Sequence, residues 1–270
     1  MKRVVTISIF LFFILTVASG QADSSFHHVK TIKGDITSFT VDNLDNIYIL
    51  NSSDQLKKFD AKGDSVGVYN DVRKFGKVSY IDVSNPLRVM LYYKDFSTVV
   101  VLDRLLNIRN SIDLRQQNIF QVQALSLSYD NKIWLYDEME NKLKKIDEDG
   151  KLLFETTDFR QLFDEAPLFT SIADHDGFIY LYDTLRGVFV FDYYGALKNK
   201  IQLTGWNNFK VAGKYLFGIR NDSLFRYQLA TFFLQDVALP RGFKDATAIS
   251  FTSNRVYALK KDELEIYSLR

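Results

Sequence analysis

Short apolar runs recur along the chain at a nearly constant interval. Six runs are rich in β-branched, aliphatic and aromatic residues and centre on Tyr48, Met90, Trp134, Tyr180, Phe217 and Tyr257. The spacings between these centres are 42, 44, 46, 37 and 40 residues. A second run follows each of them, and in four units it ends in Asp, at Asp60, Asp103, Asp147 and Asp192. A period near 42 residues with several strands per unit is typical of propeller blades.

Each repeat predicts four strands, which we call A to D. Strand A alternates polar and apolar residues, as in Ser38–Val41, and a turn rich in Asp, Asn and Gly follows it. Strands B and C are the two apolar runs, and strand D is more polar, as in Lys198–Leu203. Strands that are apolar at nearly every position indicate a sheet covered on both faces. The recurrent Asp at the end of strand C occupies a structural position, which favours turn capping over catalysis.

The two ends of the chain complete the architecture. The last repeat has strands A, B and C but no D, whereas Phe26–Ile32 is an extra strand near the start. Pairing the two would remove the exposed edges of an open ring. We therefore predict an all-β, six-bladed β-propeller of four-stranded antiparallel blades, closed by the N-terminal strand. The predicted blades cover residues 35–70, 77–114, 122–157, 168–204, 208–240 and 245–270 plus 26–32.

The repeats also resemble a known family. The stretch from Ile36 through Gly63, and the equivalent parts of the third and fourth repeats, are similar to NHL-type propeller repeats. The similarity covers most of residues 21–270, is sharpest in repeats one, three and four, and is weakest in repeat five. It implies a six-bladed fold. It implies little about function, because such propellers serve as enzymes, as sugar or peptide binders and as scaffolds.

The first twenty residues have the pattern of a secretory signal peptide. Lys2 and Arg3 precede a 14-residue uncharged, mostly apolar run, Val4 to Val17, and Ala18-Ser19-Gly20 provides small residues before Gln21. An uncleaved anchor is the alternative, but the run is shorter than the roughly 20 residues that span a membrane. We expect cleavage after Gly20, export to the periplasm or the cell surface, and no transmembrane segment in the mature chain.

Composition narrows the function further. The 34 Lys and Arg residues nearly balance 33 Asp and Glu, which argues against a nucleic-acid partner. The chain has no Cys, so thiolate zinc sites and cysteine nucleophiles are excluded. Its three His residues fall in the predicted closing strand (His27, His28) and in an A–B turn (His175). Lyases among NHL-like propellers depend on several His on the channel face, so we expect no enzymatic activity, no metal site and no cofactor.

Binding is the remaining hypothesis. The D–A connections and B–C loops of a propeller emerge on one face, and the D–A connections here combine Arg with large aromatic residues, a pairing enriched at interface hot spots. The B–C loops are more acidic and include Asp137 and Asp183. Residues 158–163 predict a short amphipathic helix. The candidate binding residues are Arg73, Arg115, Phe120, Phe159, Arg160, Trp206, Arg241 and Phe243.

Two functions remain open at this point. The first is an exported protein- or peptide-binding scaffold of the bacterial envelope, with an outer-membrane assembly as a possible partner. The second is glycan or small-ligand binding in the channel mouth, where the protein would act as a lyase-type enzyme or as a binder. For the aromatic candidates, a purely structural role in filling the space between blades is a further alternative.

Overall fold

The computed structural model describes residues 26–269, so the predicted signal peptide lies outside the described residues. Within them the chain forms six antiparallel sheets of four strands each. The prediction of an all-β, six-bladed propeller is confirmed. The first strands of neighbouring blades pack against one another, which places them around a common axis.

The chain enters through the closing strand and then builds three blades in sequence order. The strands of this half are β1 (Phe26–Lys33), then β2 (Ser38–Val41), β3 (Ile47–Leu50), β4 (Leu56–Phe59) and β5 (Ser65–Tyr69) of blade 1, β6 (Tyr80–Asn85), β7 (Arg88–Tyr93), β8 (Thr98–Asp103) and β9 (Ile108–Asp113) of blade 2, and β10 (Val122–Leu127), β11 (Ile133–Asp137), β12 (Lys142–Ile146) and β13 (Leu152–Glu155) of blade 3.

The second half repeats the same order. Its strands are β14 (Phe169–His175), β15 (Phe178–Asp183), β16 (Gly187–Asp192) and β17 (Leu197–Ile201) of blade 4, β18 (Asn207–Ala212), β19 (Tyr215–Arg220), β20 (Ser223–Gln228) and β21 (Phe233–Ala238) of blade 5, and β22 (Ala248–Phe251), β23 (Arg255–Lys260) and β24 (Glu263–Leu269) of blade 6.

Blade 6 closes the ring as the sequence predicted. β1 pairs antiparallel with β24 from His27 opposite Ser268 to Lys33 opposite Glu263. The first described strand therefore supplies strand D of the last blade, and the ring has no unpaired β24 edge.

Short helical turns occupy several connections between strands. The two single-turn α-helices are α1 (Val72–Phe75) and α2 (Phe159–Leu162), and three 3-10 turns cover Lys94–Phe96, Leu114–Gln117 and Arg241–Phe243. The short helix predicted within residues 158–163 is confirmed by α2. None of the helices in residues 26–269 has the length and apolar character that crossing a membrane requires.

The core lies between the blades. Strand B is buried along most of its length in every blade, and strand C is buried to the same degree in blades 2 and 4, because these strands are covered on both faces. In the other blades strand C is partly buried. The large aromatic side chains fill these spaces: Trp134, Tyr136, Phe169 and Phe189 are essentially inaccessible to solvent. The aromatic content of the chain is thus largely a packing requirement.

The Asp residues that end strand C cap the C–D turns. In each of four blades one carboxylate oxygen accepts hydrogen bonds from the backbone N–H groups two and four residues later. These Asp residues are Asp60, Asp103, Asp147 and Asp192. The turn-capping interpretation is confirmed. The backbone hydrogen bonds, chiefly the one from Asp64, hold the pKa of the Asp60 carboxyl below its usual value.

A half-buried carboxylate near the end of strand β14 also fastens two neighbouring blades. Asp174 of blade 4 accepts hydrogen bonds from Ser128 Oγ (2.6 Å) and Trp134 Nε1 (3.0 Å) of blade 3 and from Tyr193 OH (2.6 Å) of its own blade. This hydrogen bonding gives Asp174 a structural role.

Candidate functional site

The D–A connections and the B–C loops lie together on one face of the ring, which we call the connection face. Of the eight predicted binding residues, Arg73, Arg115, Phe120 and Arg160 are exposed there. Arg241 lies in the 3-10 turn between blades 5 and 6. The other three, Phe159, Trp206 and Phe243, have buried side chains and require correction.

Trp206 is a core residue and is not available at the surface. Its side chain is only 2% exposed and stacks on Phe225 with ring centroids 5.8 Å apart. The indole occupies the space where a Cβ of Gly218 would lie, since such an atom would be 2.4 Å from Trp206 Cε3. The expected surface role of Trp206 is wrong because the indole fills the space beside strand β19.

Phe159 and Phe243 also pack inward. Phe159 is fully buried and stacks on Phe191 with centroids 5.3 Å apart, and Phe243 packs on Tyr267 at 4.8 Å. Sequence reasoning placed both Phe159 and Arg160 on the rim. Consecutive residues of a helical turn point about 100° apart, so only one of the two can face outward. The structural alternative holds for all three buried aromatics.

Three consecutive D–A connections share an Asp-apolar-Arg motif. It comprises Asp71-Val72-Arg73, Asp113-Leu114-Arg115 and Asp158-Phe159-Arg160. In the second and third, the carboxylate accepts the backbone N–H of the Arg, at 3.1 and 2.8 Å, and also binds its guanidinium. The arginine hydrogen bonds hold the pKa of both carboxyls below the usual value. In these two motifs the apolar residue, Leu114 or Phe159, is buried, and the Arg is held at the surface by its carboxylate.

The connection face also carries a set of exposed apolar side chains, which we call the rim patch. It consists of Phe96, Phe120, Met139, Leu162, Leu168 and Leu185. All six come from the B–C loops of blades 2 to 4 or from the two connections between those blades. Among the described residues, the loops of the connection face in blades 1, 5 and 6 expose no large apolar side chain. The patch is therefore restricted to half of the ring.

Phe120 is exposed on an ordered backbone. Its side chain is 53% exposed, while its neighbours in the loop are tied to the core. The Ile119 N–H donates to Leu114 O at 3.0 Å, Ser97 Oγ donates to Phe120 O at 3.3 Å, and the Glu138 N–H donates to Gln121 O at 2.9 Å. An aromatic ring on such a loop loses little conformational freedom when a partner binds it.

Met139 and Leu185 occupy equivalent places in blades 3 and 4. Each lies two residues after a buried Asp at the end of strand B, and its backbone N–H donates to that carboxylate: Met139 to Asp137 at 3.1 Å and Leu185 to Asp183 at 2.8 Å. The side chains are 58% and 82% exposed. Asp137 and Asp183 are thus buried and hydrogen-bonded within their own loops. They add no exposed negative charge to the connection face, although the sequence led us to expect acidic B–C loops there.

The opposite face, formed by the A–B and C–D turns, also exposes apolar residues. They are Leu44, Leu87, Leu105, Tyr129, Phe178, Tyr194 and Phe232, and they are spread over five blades. Tyr129 is stacked on Tyr193 and lies beside the ammonium of Lys145. Exposure alone therefore does not distinguish the two faces. The confinement of the rim patch to adjacent blades does.

The central channel contains a cavity of about 530 Å³ lined by the A strands of the blades. Lys210 of blade 5 crosses it: its ammonium donates to Val41 O of blade 1 at 3.2 Å and to Phe251 O of blade 6 at 3.1 Å. Burial lowers the pKa of Lys210, and the nearby carboxylates of Asp42, Asp82 and Asp45 partly offset this effect. Lys210 obstructs the channel at the end away from the connection face.

The channel carboxylates are already satisfied by protein donors. Asp42 accepts the hydroxyl of Tyr48 (3.0 Å) and the backbone and side-chain N–H groups of Asn46, and Asp82 accepts the Leu127 N–H at 2.8 Å. His175 also lines the channel and is bonded to Gly213 O at 2.7 Å. Within residues 26–269 no group of three or more His, Asp or Glu could hold a metal ion.

Solved structures share this fold at low sequence identity. Virginiamycin B lyase from Staphylococcus aureus is 12% identical, with 91% of this chain and 100% of that chain covered and a TM-score of 0.61. The Pan2 WD40 domain from Neurospora crassa is 10% identical over 91% and 95%, with a TM-score of 0.59. BamB from Moraxella catarrhalis is 12% identical over 90% and 100%, with a TM-score of 0.52. At these identities the likeness concerns the fold alone. No family model and no curated protein matches the chain.

Sequence reasoning found the arginines and Phe120 but missed most of the rim patch. The signal was present in part, because Asp137-Glu138-Met139 and Asp183-Thr184-Leu185 place an apolar residue at the same offset after strand B in adjacent repeats. In such a tight loop between two buried strands the Asp side chain points inward. The apolar residue two positions later could therefore have been predicted to be exposed. Leu162 and Leu168 have no comparable repeat signal.

Proposed function

We propose that the protein is an exported, non-enzymatic scaffold that binds a protein partner through the connection face of blades 2 to 4. The observation that carries the proposal is the rim patch, six exposed apolar side chains confined to the loops of three adjacent blades. Soluble proteins rarely expose contiguous apolar surface without a binding role.

The polar surroundings of the patch support the same function. Arg115 and Arg160 are exposed, and within residues 26–269 each pairs with a single carboxylate, so guanidinium N–H groups remain for a partner. Arg beside exposed aromatic and Met side chains is the composition enriched at protein interfaces. The fold itself favours neither binding nor catalysis, because a lyase and a WD40 domain share it.

The proposal includes two further parts: that the blades are NHL-type repeats, and that the protein is exported. What supports export is the sequence of residues 1–20, with its basic start, apolar run and small residues before Gln21. Mass measurement of the protein isolated from its native cells tests this: we expect a mature chain that begins at Gln21. A chain that retains Met1 in the membrane fraction would contradict export with cleavage.

The binding role is tested by a set of serine substitutions on the rim patch. We expect the triple variant Phe120→Ser, Met139→Ser, Leu185→Ser to lose the partner that the unchanged protein retains on an affinity column loaded with native envelope extract. The three side chains are more than half exposed, so the variant should keep the thermal stability of the unchanged protein.

A matched control lies on the opposite face. Leu44→Ser, Leu87→Ser, Leu105→Ser removes the same number of exposed apolar side chains from turns there. We expect this variant to retain the partner. Equal loss of the partner in both variants, or retention in both, would contradict the assignment of the site to the connection face.

A further inference from the structure

A recess at the channel mouth lies in the same three blades as the rim patch. It has a volume of about 200 Å³ and is formed where strands β6, β10 and β14 begin, so it opens beside the connection face. Its lining residues are Ser79, Tyr80, Tyr92, Lys94, Val122, Gln123, Ala124, Leu125, Thr170 and Ser171. This volume is below the 300–1,000 Å³ typical of sites for drug-sized ligands, and it suits one terminal residue of a larger partner.

The lining of the recess combines residues with hydroxyl and amide groups with one lysine and includes no acidic residue. Its polar lining residues are three Ser or Thr residues, two Tyr residues, Gln123 and Lys94. The Thr170 hydroxyl donates to Tyr182 O at 3.3 Å, and Ser79 Oγ accepts the Lys94 N–H at 3.1 Å. Tyr80 is 42% exposed towards the channel, and its hydroxyl makes no hydrogen bond within the part of the chain that the structure describes. A tyrosine hydroxyl without a partner and a lysine in the same lining are complementary to a carboxylate.

β-Bulges at equivalent places in blades 3 and 4 bring two of these residues to the mouth. In blade 3 the register shifts between Val122 and Ala124, which leaves Gln123 outside the ladder, and in blade 4 the shift between Phe169 and Ser171 does the same for Thr170. Bulges re-aim side chains and leave the extra residue unpaired, and they are over-represented next to functional sites. Gln123 and Thr170 are both exposed.

The rest of the channel confines an anion to this mouth. The carboxylates of Asp42 and Asp82 lie deeper in the channel, where they would repel a second carboxylate. Lys210 crosses the far end and is already bonded to two carbonyl oxygens. A ligand that enters from the connection face therefore meets donors first and negative charge further in.

We infer that the recess binds the free C-terminal carboxylate of a peptide or protein partner. A chain end reaches a recess at the channel mouth without turning back, whereas an acidic side chain within a continuous segment would bring two flanking backbone segments with it. Tyr80 OH and Lys94 Nζ are assigned to the carboxylate, and the partner's preceding residues lie towards the rim patch. The inference rests on the proposed function and adds that the connection face recognises the C-terminus of its partner.

The test uses randomised N-acetylated tetrapeptides as probes, in three pools: free C-terminal carboxylate, C-terminal amide, and amide with an internal Glu. Residues 21–270 are immobilised, retained peptides are identified by mass spectrometry, and their dissociation constants are measured by fluorescence polarisation. We expect enrichment from the free-carboxylate pool only. Tyr80→Phe and Lys94→Gln should each weaken binding about tenfold, as for loss of a hydrogen bond to a charged group, and Lys77→Gln, an exposed lysine outside the recess, should not.

Several results would overturn the inference: equal enrichment from the amide pool, enrichment confined to the internal-Glu pool, or unchanged binding by the Tyr80→Phe, Lys94→Gln double variant. The serine variant of the rim patch separates this site from the proposed function. If the recess variants lose tetrapeptide binding but still capture the partner, the partner does not use the recess, and this inference is rejected while the proposed function stands. Failure of partner capture to depend on the rim patch, with tetrapeptide binding intact, would reject the rim patch alone.

Discussion

The loop that presents Met139 depends on a buried ion pair, which gives a sharp stability prediction. Lys144 and Asp137 are 5% and 1% exposed, and their charged atoms lie 2.7 Å apart. Lys144 also contacts Glu140 at 3.0 Å. Removing one partner of a buried pair leaves a charge without compensation and costs roughly 3–5 kcal/mol. We expect Lys144→Met to lower the free energy of unfolding by this amount.

The measurement is urea unfolding followed by the fluorescence of Trp134 and Trp206, which are both buried. The matched control is Lys142→Met on the same strand, whose ion pairs with Glu140 and Glu155 are more accessible, and we expect it to cost less than about 1 kcal/mol. If the slope of the unfolding free energy against urea concentration is the same in all variants, the shift of the midpoint reports a change in stability.

A double variant isolates the pair itself. In Lys144→Met, Asp137→Asn the amide oxygen still accepts the Met139 and Glu140 N–H groups, but no buried charge remains. The double variant should therefore be more stable than Lys144→Met alone, by about 1 kcal/mol or more. The reasoning would be refuted if the loss of stability in the double variant equalled the sum of the losses in Lys144→Met and Asp137→Asn. It would also be refuted if Lys144→Met were no less stable than Lys142→Met.

The pH dependence of the same pair follows from its charge state. Burial acts to lower the pKa of Lys144, but the hydrogen bonds to Asp137 and Glu140 outweigh it, so the pKa is raised above its usual 10.5. A raised lysine pKa gives a stability contribution that is complete at neutral pH and is lost as the pH rises above about 10.5. Unfolding measured between pH 9 and 12 should show this loss in the unchanged protein and not in Lys144→Met.

Two further predictions concern fastening and packing. Asp174→Asn should lower the free energy of unfolding by about 1–3 kcal/mol, because it weakens charge-assisted hydrogen bonds that join blades 3 and 4. Asp176→Asn, at an exposed neighbour, should be nearly neutral in the same urea titration. Equal effects would reject the structural role of Asp174. Gly218→Ala should lower the free energy of unfolding by roughly 1–3 kcal/mol, because the new Cβ would overlap the indole of Trp206. Gly242→Ala, whose Cβ would meet open space, should leave the melting temperature unchanged. An unchanged melting temperature in both variants would show that Trp206 moves freely.

The fold was predictable because one pattern repeats six times. Each blade has the same two apolar runs, so an error in one repeat, such as the weak fifth, is corrected by the others. The closing strand was predictable for a simple reason: the last repeat lacks strand D and a lone strand precedes the first. Strands buried on both faces read as continuous apolar runs, which are the strongest local signal of this architecture.

The site was less predictable because loop geometry decides which side chain faces outward. Arg160 and Phe159 are adjacent in sequence, yet one is exposed and the other is fully buried. Trp206 appears in a connection, where a surface role is reasonable, but the glycine at position 218 on strand β19 makes room for it in the core. Likewise, nothing in the sequence announces the bulges at Gln123 and Thr170, since a bulge depends on pairing between strands.

The central claim is that a protein partner contacts the connection face at blades 2 to 4. The most direct measurement places a photo-crosslinking amino acid at Phe120 or, as a control, at Leu87 on the opposite face, and irradiates cells that produce each variant. Our account predicts a discrete protein adduct from position 120 and none from position 87. Adducts of equal yield at both positions, or an adduct from position 87 alone, would contradict it.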